Sequence, residues 1–165
     1  MEKSNIYTDF FSPSKEVSLK EIFETVKNEK YKSQISSIQY ALHSGKEELS
    51  QSLKKELPAF TPSGTFKERR KIENLIDHSG IIHLDIDGLE PHEVIPTKEK
   101  INKCPFTWVS FVSPRGGGLK VFIKAEVNKE THREVWQKLD DHYSEIIGFR
   151  TDNKCKDVSR LSLVS

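Results

Sequence analysis

An α+β fold, with a helical N-terminal subdomain packed beside a mainly antiparallel sheet, is predicted by three features of this sequence. Residues 1–57 place apolar side chains at helical spacing. From residue 79 onward, short β-branched and aromatic runs alternate with glycine turns and one amphipathic helix. Between them PAFTPSGTF, residues 58–66, concentrates proline, glycine and small polar residues and reads as loop. The 165 residues suit a single domain, with 1–66 as its helical N-terminal part and 67–165 as its sheet-rich core.

SNIYTDFFS is extended or a first strand. In SLKEIFETVKNEK, Ser18 and Glu21 form a capping box, and Ile22, Phe23 and Val26 make an apolar stripe. YKSQISSIQYALHSG continues as a second helix with Ile35, Ile38 and Leu42 on one face and Ser44-Gly45 as its stop. KEELSQSLKKEL is a short third helix, with Lys54 and Lys55 suited to the negative end of its dipole. The basic run KERRK, residues 67–71, reads as a solvated helix face or a contact to a phosphate backbone.

GIIHLDIDG is a strand, and PHEVIPTKEKINKC is loop with room for a short helix. FTWVSFVS is a strand, PRGGG a turn and LKVFIKAEV a returning strand. NKETHREVWQKLDDHYSEIIGF is an amphipathic helix burying Val135, Leu139, Tyr143 and Ile146. TDNKCKDVS is a loop and RLSLVS starts a further strand, so a domain cut from a longer protein is expected. Phe10, Phe11, Trp108 and Trp136 are expected in the core, and His78, His132 and His142 on the surface.

Lys plus Arg number 26 against 25 Asp plus Glu, so bulk basicity does not point to nucleic acid and any such site needs local clustering. No apolar run approaches the roughly 20 residues that cross a bilayer, and the N-terminus lacks a signal peptide's apolar region. Cys104 and Cys155 are too far apart in sequence for a CxxC pair, which argues against a disulfide framework or a zinc site. A cytoplasmic protein is expected.

Three stretches carry candidate chemistry. In HLDIDGL, strand alternation puts Ile82, Leu84 and Ile86 on one face and His83, Asp85 and Asp87 on the other. Two carboxylates on one face suit Mg²⁺ or Mn²⁺, which prefer hard oxygen ligands. Asp87-Gly88 is also a common turn pair, so the motif alone leaves both readings open. In SFVSPRGGGLKVFI, three consecutive glycines let backbone approach a ligand closely, with Arg115 and Lys120 beside them. This is either a phosphate cradle or an ordinary hairpin tip. In TDNKCKDVSRLSLVS, Asp157 is a candidate third carboxylate or a turn residue, and Arg160 shares a face with Ser162.

In this order the segments resemble the primase-like N-terminal domain of virulence-associated protein E relatives, in the archaeo-eukaryotic primase (primase–polymerase) superfamily. The segments that carry the resemblance are LKKELPAFTPSGTF, GIIHLDIDGL, SFVSPRGGGLKVFIKAEV and DNKCKDVSRLSLVS. It implies a core like that of the RNA recognition motif. It implies catalytic, metal-binding carboxylates at Asp85, Asp87 and Asp157, with Asp152 competing for the third place. It implies nucleotide contacts from Ser113, Arg115, Gly116, Gly117, Gly118, Lys120 and Arg160. The implied activity is nucleotidyl transfer with Mg²⁺ or Mn²⁺, using nucleoside triphosphates on a single-stranded DNA or RNA template, in replication of a mobile element or phage-like system. A helicase domain would follow in the full-length protein. One departure stands out: many primase–polymerases carry a His after the glycine-rich turn, where this chain has Lys120. Two other activities remain open, an inactive module binding single strands or nucleotides and a metal-dependent nuclease.

Overall fold

The structure, a computed structural model, describes residues 2–8 and 15–165, so the expectation for Phe10 and Phe11 lies outside the described residues. Among the described residues the architecture is mixed α+β, with three antiparallel sheets. Its centre is a sheet of β6 (Ile81–Asp87), β8 (Gly118–Lys124) and β7 (Thr107–Val112), in that order. The alternation of HLDID and LKVFI makes each strand two-faced, and the pairing Asp85↔Lys120, His83↔Phe122 fixes which residues share a face.

The even residues of β6, Ile82, Leu84 and Ile86, join Leu119, Val121 and Ile123 of β8 in the main core. Helices α4 (Pro91–Lys103) and α5 (His132–Ile147) cover that face with Val94, Ile101, Trp136 and Tyr143. Trp136 is wholly buried and its indole N–H donates to the His83 carbonyl at 3.2 Å. The buried line of α5 therefore runs His132, Trp136, Asp140, Tyr143 and Ile147. Val135, Leu139 and Ile146, expected at its centre with Tyr143, are only partly buried at its margin. His132 is buried at the start of this helix, against the expectation of a surface position.

The opposite face of the sheet meets the N-terminal part. Helix α1 (Leu19–Lys27) begins with the expected capping box of Ser18 and Glu21. Its Leu19 and Ile22 pack with Phe60, Phe111, Phe122 and Val164. Helices α2 (Lys32–His43) and α3 (Glu47–Lys55) follow as expected. Ser50 ties them together, its hydroxyl donating to the Ile38 carbonyl at 3.0 Å.

Several expectations are corrected. The loop at 58–66 holds two short buried strands, β3 (Ala59–Phe60) and β4 (Gly64–Phe66). Strand β3 pairs with β1 (Lys3–Tyr7) and with β9 (Ser162–Leu163), in a sheet ordered β2-β1-β3-β9 with β2 at Lys15–Ser18. Strand β4 pairs with β5 (Leu75–His78). KERRK forms no helix, but an irregular segment leading to a 3-10 turn at Ile72–Asn74. PHEVIPTKEKINK is a full helix despite Pro96, started by Pro91 at its first turn and a capping box between Glu90 and Glu93. The four-stranded sheet of an RNA recognition motif is not formed among the described residues, because β9 joins β3 and not the edge of β6. No described helix is long and apolar enough to cross a membrane.

Candidate active site

The odd residues of β6 build the site. Asp85 and Lys120 face each other across the ladder, and the lysine Nζ donates to Asp85 Oδ2 at 2.7 Å, with both side chains buried. Burial works to raise the Asp85 carboxyl, but Lys120 and its other charged neighbours outweigh it and hold the group below the usual carboxylate range. Its second oxygen, Oδ1, is buried without a hydrogen-bond partner. Asp87, at the exposed end of the strand, is pushed up by partial desolvation and by the nearby Asp85 charge. Two like charges therefore converge with one acceptor atom unsatisfied.

A third carboxylate of the cluster comes from the segment after α5. The Asp152 N–H donates to the Asp85 carbonyl at 2.7 Å, which fastens this loop to β6. Carboxylate oxygens of Asp85, Asp87 and Asp152 lie within 4.8 Å of one another. Asp157 is not in this group: its Oδ1 accepts from the N–H and the hydroxyl of Ser159, both at 2.9 Å, and shapes the turn there. It stays nearby, lining a cavity of about 420 Å³ with Asp85, Lys120, Arg160 and Lys54.

A second cluster able to coordinate a divalent ion combines His83, Asp85 and Cys155, all buried. His83 stacks on Phe122, with ring centroids 4.9 Å apart, and neither ring nitrogen has a partner. Burial, then the Lys120 charge, pushes this imidazole down to about 3. Burial, then the Asp85 charge, pushes the Cys155 thiol up to about 12, so it remains protonated and a poor ligand. The all-oxygen group is the better fit to Mg²⁺ or Mn²⁺. The buried unpartnered Asp85 Oδ1 and the crowding of Asp87 by Asp85 are what a cation there would relieve.

The glycine-rich turn closes one side. Ser113 N–H donates to the Gly118 carbonyl and Gly116 N–H to the Ser113 carbonyl, both at 2.9 Å. Gly116 takes a φ of +86°, which favours glycine. A side chain on Gly118 would collide with the Ile86 carbonyl and crowd Ser113 Oγ and Asp87 Oδ1. Gly117 and Ser113 line a second cavity of about 390 Å³ with Asp87, Arg115 and Lys54. Arg115 is held by Glu47 of α3 at 2.7 Å.

One functional candidate, Lys54, was missed in the sequence, and another, Arg70, lies in a run read as either a solvated helix face or a phosphate contact. Lys54 borders both cavities, and burial followed by the Lys120 charge lowers its ammonium from the ordinary value. Its signal was its place next to LPAFTPSGTF, read only as a helix end. Arg70, from the supposed helix face, lines the Asp85 cavity and donates to the Ser159 carbonyl at 3.2 Å. Arg160 completes the ring of cations, donating to Asp152 Oδ2 at 3.3 Å while its Nε is buried without a partner.

The antiparallel sheet thus presents clustered carboxylates able to coordinate a divalent ion, beside lysines, arginines and a glycine turn. Residues 52–165 match the family described as BT4734-like, N-terminal domain. The match covers more than half of the chain, and the chain belongs to this family. Searches of curated proteins and of solved structures returned no match.

Proposed function

We propose that this chain is a primase–polymerase-like domain that binds Mg²⁺ or Mn²⁺ and a nucleoside triphosphate and extends a strand on a single-stranded DNA or RNA template. The observation that carries this reading is the convergence of Asp85, Asp87 and Asp152 beside Lys120, Lys54 and Arg160. Family membership supports it, because the same segments carry the resemblance to the primase superfamily. A divalent ion on these carboxylates supplies charge neutralisation for the attacking and leaving oxygens of phosphoryl transfer. The chain's own residues do the rest. Asp85 and Asp87 present hard oxygen donors on one rigid strand. Lys54, Arg160 and Arg70 offer cations to a triphosphate, and the glycine turn lets it approach the backbone. Lys120 holds Asp85 in place and keeps it ionised. A helicase domain downstream belongs to the same proposal.

The test is incorporation of labelled nucleotides on a primed or unprimed single strand with Mn²⁺ or Mg²⁺. Wild type is expected to extend the strand, and Asp87→Asn/Asp152→Asn to fall to background while its circular dichroism stays unchanged. Equal incorporation by both proteins sinks the catalytic reading.

A second reading rests on the Lys120–Asp85 pair. A permanent ammonium beside the central carboxylate suits binding of nucleotide or single strand without chemistry. It predicts binding indifferent to chelator and no incorporation under any metal.

A further inference from the structure

Beyond the carboxylates lies a groove of about 530 Å³ between the 3-10 turn at 72–74, the start of α5 and the 156–159 loop. Arg70, Lys71, Lys129, Arg133 and Lys156 line it, against only two carboxylates, Glu73 and Asp157. Among the described residues, Lys71, Lys129, Arg133 and Lys156 take part in no ion pair. The groove shares Arg70, Asp157 and Ser159 with the cavity around Asp85, so the two adjoin.

Two further observations point to an anion. The groove reaches the N-terminus of α5, a helix of 16 residues whose Thr131 makes no side-chain cap. That hydroxyl instead bonds Asn128, so the positive end of the helix dipole lacks a side-chain acceptor. The second is His132, which also lines the groove and is only 3% exposed. Its tautomer follows from a chain of hydrogen bonds. The Gly80 N–H donates to His78 Nδ1 at 3.0 Å, so neutral His78 carries its proton on Nε2. That N–H donates to His132 Nδ1 at 2.9 Å, so neutral His132 carries its proton on Nε2. Burial holds both rings near a pKa of about 4, which makes the neutral forms the ones present at pH 7. His132 Nε2–H is thus a buried donor, and it has no acceptor. A buried donor without a partner is costly, and a phosphate oxygen would satisfy it.

We propose that this groove is a phosphate-binding track for the backbone of a single nucleic-acid strand leading to the carboxylate site. The assignment of a strand, as opposed to a free phosphate, rests on the nucleotidyl-transfer reading and on the adjacency of the two cavities. Cations spaced around a long groove neutralise several phosphates, while the helix terminus and the His132 N–H fix one of them.

The test is a fluorescence-anisotropy titration of labelled oligothymidylate with the whole chain, in chelator and without nucleotide, over a range of salt. The triple variant Lys129→Gln/Arg133→Gln/Lys156→Gln changes only solvent-accessible side chains. It should bind about tenfold or more weakly, with the slope of log K against log salt reduced by about 2, the effect of three lost phosphate contacts. His132→Phe removes a neutral donor and should weaken binding with the slope unchanged. Triple-variant binding equal to wild type, or no binding by wild type, overturns the proposal. Displacement by inorganic phosphate at constant ionic strength and equal phosphate concentration overturns the strand and leaves a small-anion site. With metal and nucleotide absent, these outcomes are independent of whether the domain incorporates nucleotides.

Discussion

Around Asp85 two cations, Lys120 and Arg160, are paired with carboxylates inside the protein, whereas in the groove beside His132 the lining lysines and Arg133 form no ion pair among the described residues. Lys120 pairs with Asp85 and Arg160 with Asp152, while Arg70 reaches the Ser159 carbonyl. Lys129, Arg133 and Lys156 have no such partner among the described residues, and His132 Nε2 has none either. The difference separates two tasks. Compensation holds Asp85 in place, and deprives the pair of water at the same time. Lack of compensation leaves a surface whose charges are available to a polyanion. One region is therefore expected to respond to substitution through stability, the other through binding.

The largest expected effect breaks the compensated region. Asp85→Ala strands a buried ammonium and should cost about 3–5 kcal/mol in urea unfolding. Asp85→Leu/Lys120→Met removes both charges and should recover most of that loss. A single variant as stable as wild type would mean that the pair is solvated, and the contrast between the regions would collapse.

A smaller effect sharpens the other side. His78 and His132 are held at about 4 by burial, below the 6.5 of a free imidazole. As pH falls, the unfolded chain takes up these protons first. Stability present above pH 6.5 is therefore lost progressively down to about 4. His132 alone should account for roughly 1.6 kcal/mol between pH 6.5 and 5, the unfolded imidazole being half protonated already at 6.5. His132→Phe should flatten the pH dependence of unfolding in that window. An unchanged slope in the variant would mean that the ring is already protonated in the fold.

The facing of Asp85 and Lys120 was legible because β-strands have a period of two. HLDID and the lysine after GGGL are bound to face each other once the hairpin closes, and Asp85↔Lys120 does so. The choice between Asp152 and Asp157 as the third carboxylate was not settled by the sequence, where proximity to the outgoing strand favoured Asp157. The deciding contact is instead a backbone bond from Asp152 to Asp85, and Asp157 turns to Ser159. Lys54 and Arg70 arrive from segments whose placement depends on β3 and β4, strands of two and three residues. Strands that short show no alternation to read, and their prolines and glycine spell loop. Helix α4 was hidden by Pro96, whose cost is overcome by the burial of Val94 and Ile101. The buried histidine pair was invisible because His78 and His132 lie 54 residues apart and meet only in three dimensions.

The most direct measurement of the central claim is a Mn²⁺ titration, followed by electron paramagnetic resonance, of wild type, Asp152→Asn and Asp157→Asn. The carboxylate group of Asp85, Asp87 and Asp152 predicts that Asp152→Asn weakens Mn²⁺ binding roughly tenfold or more while Asp157→Asn binds as wild type. The reverse pattern, or a wild type that takes up no Mn²⁺, would contradict it.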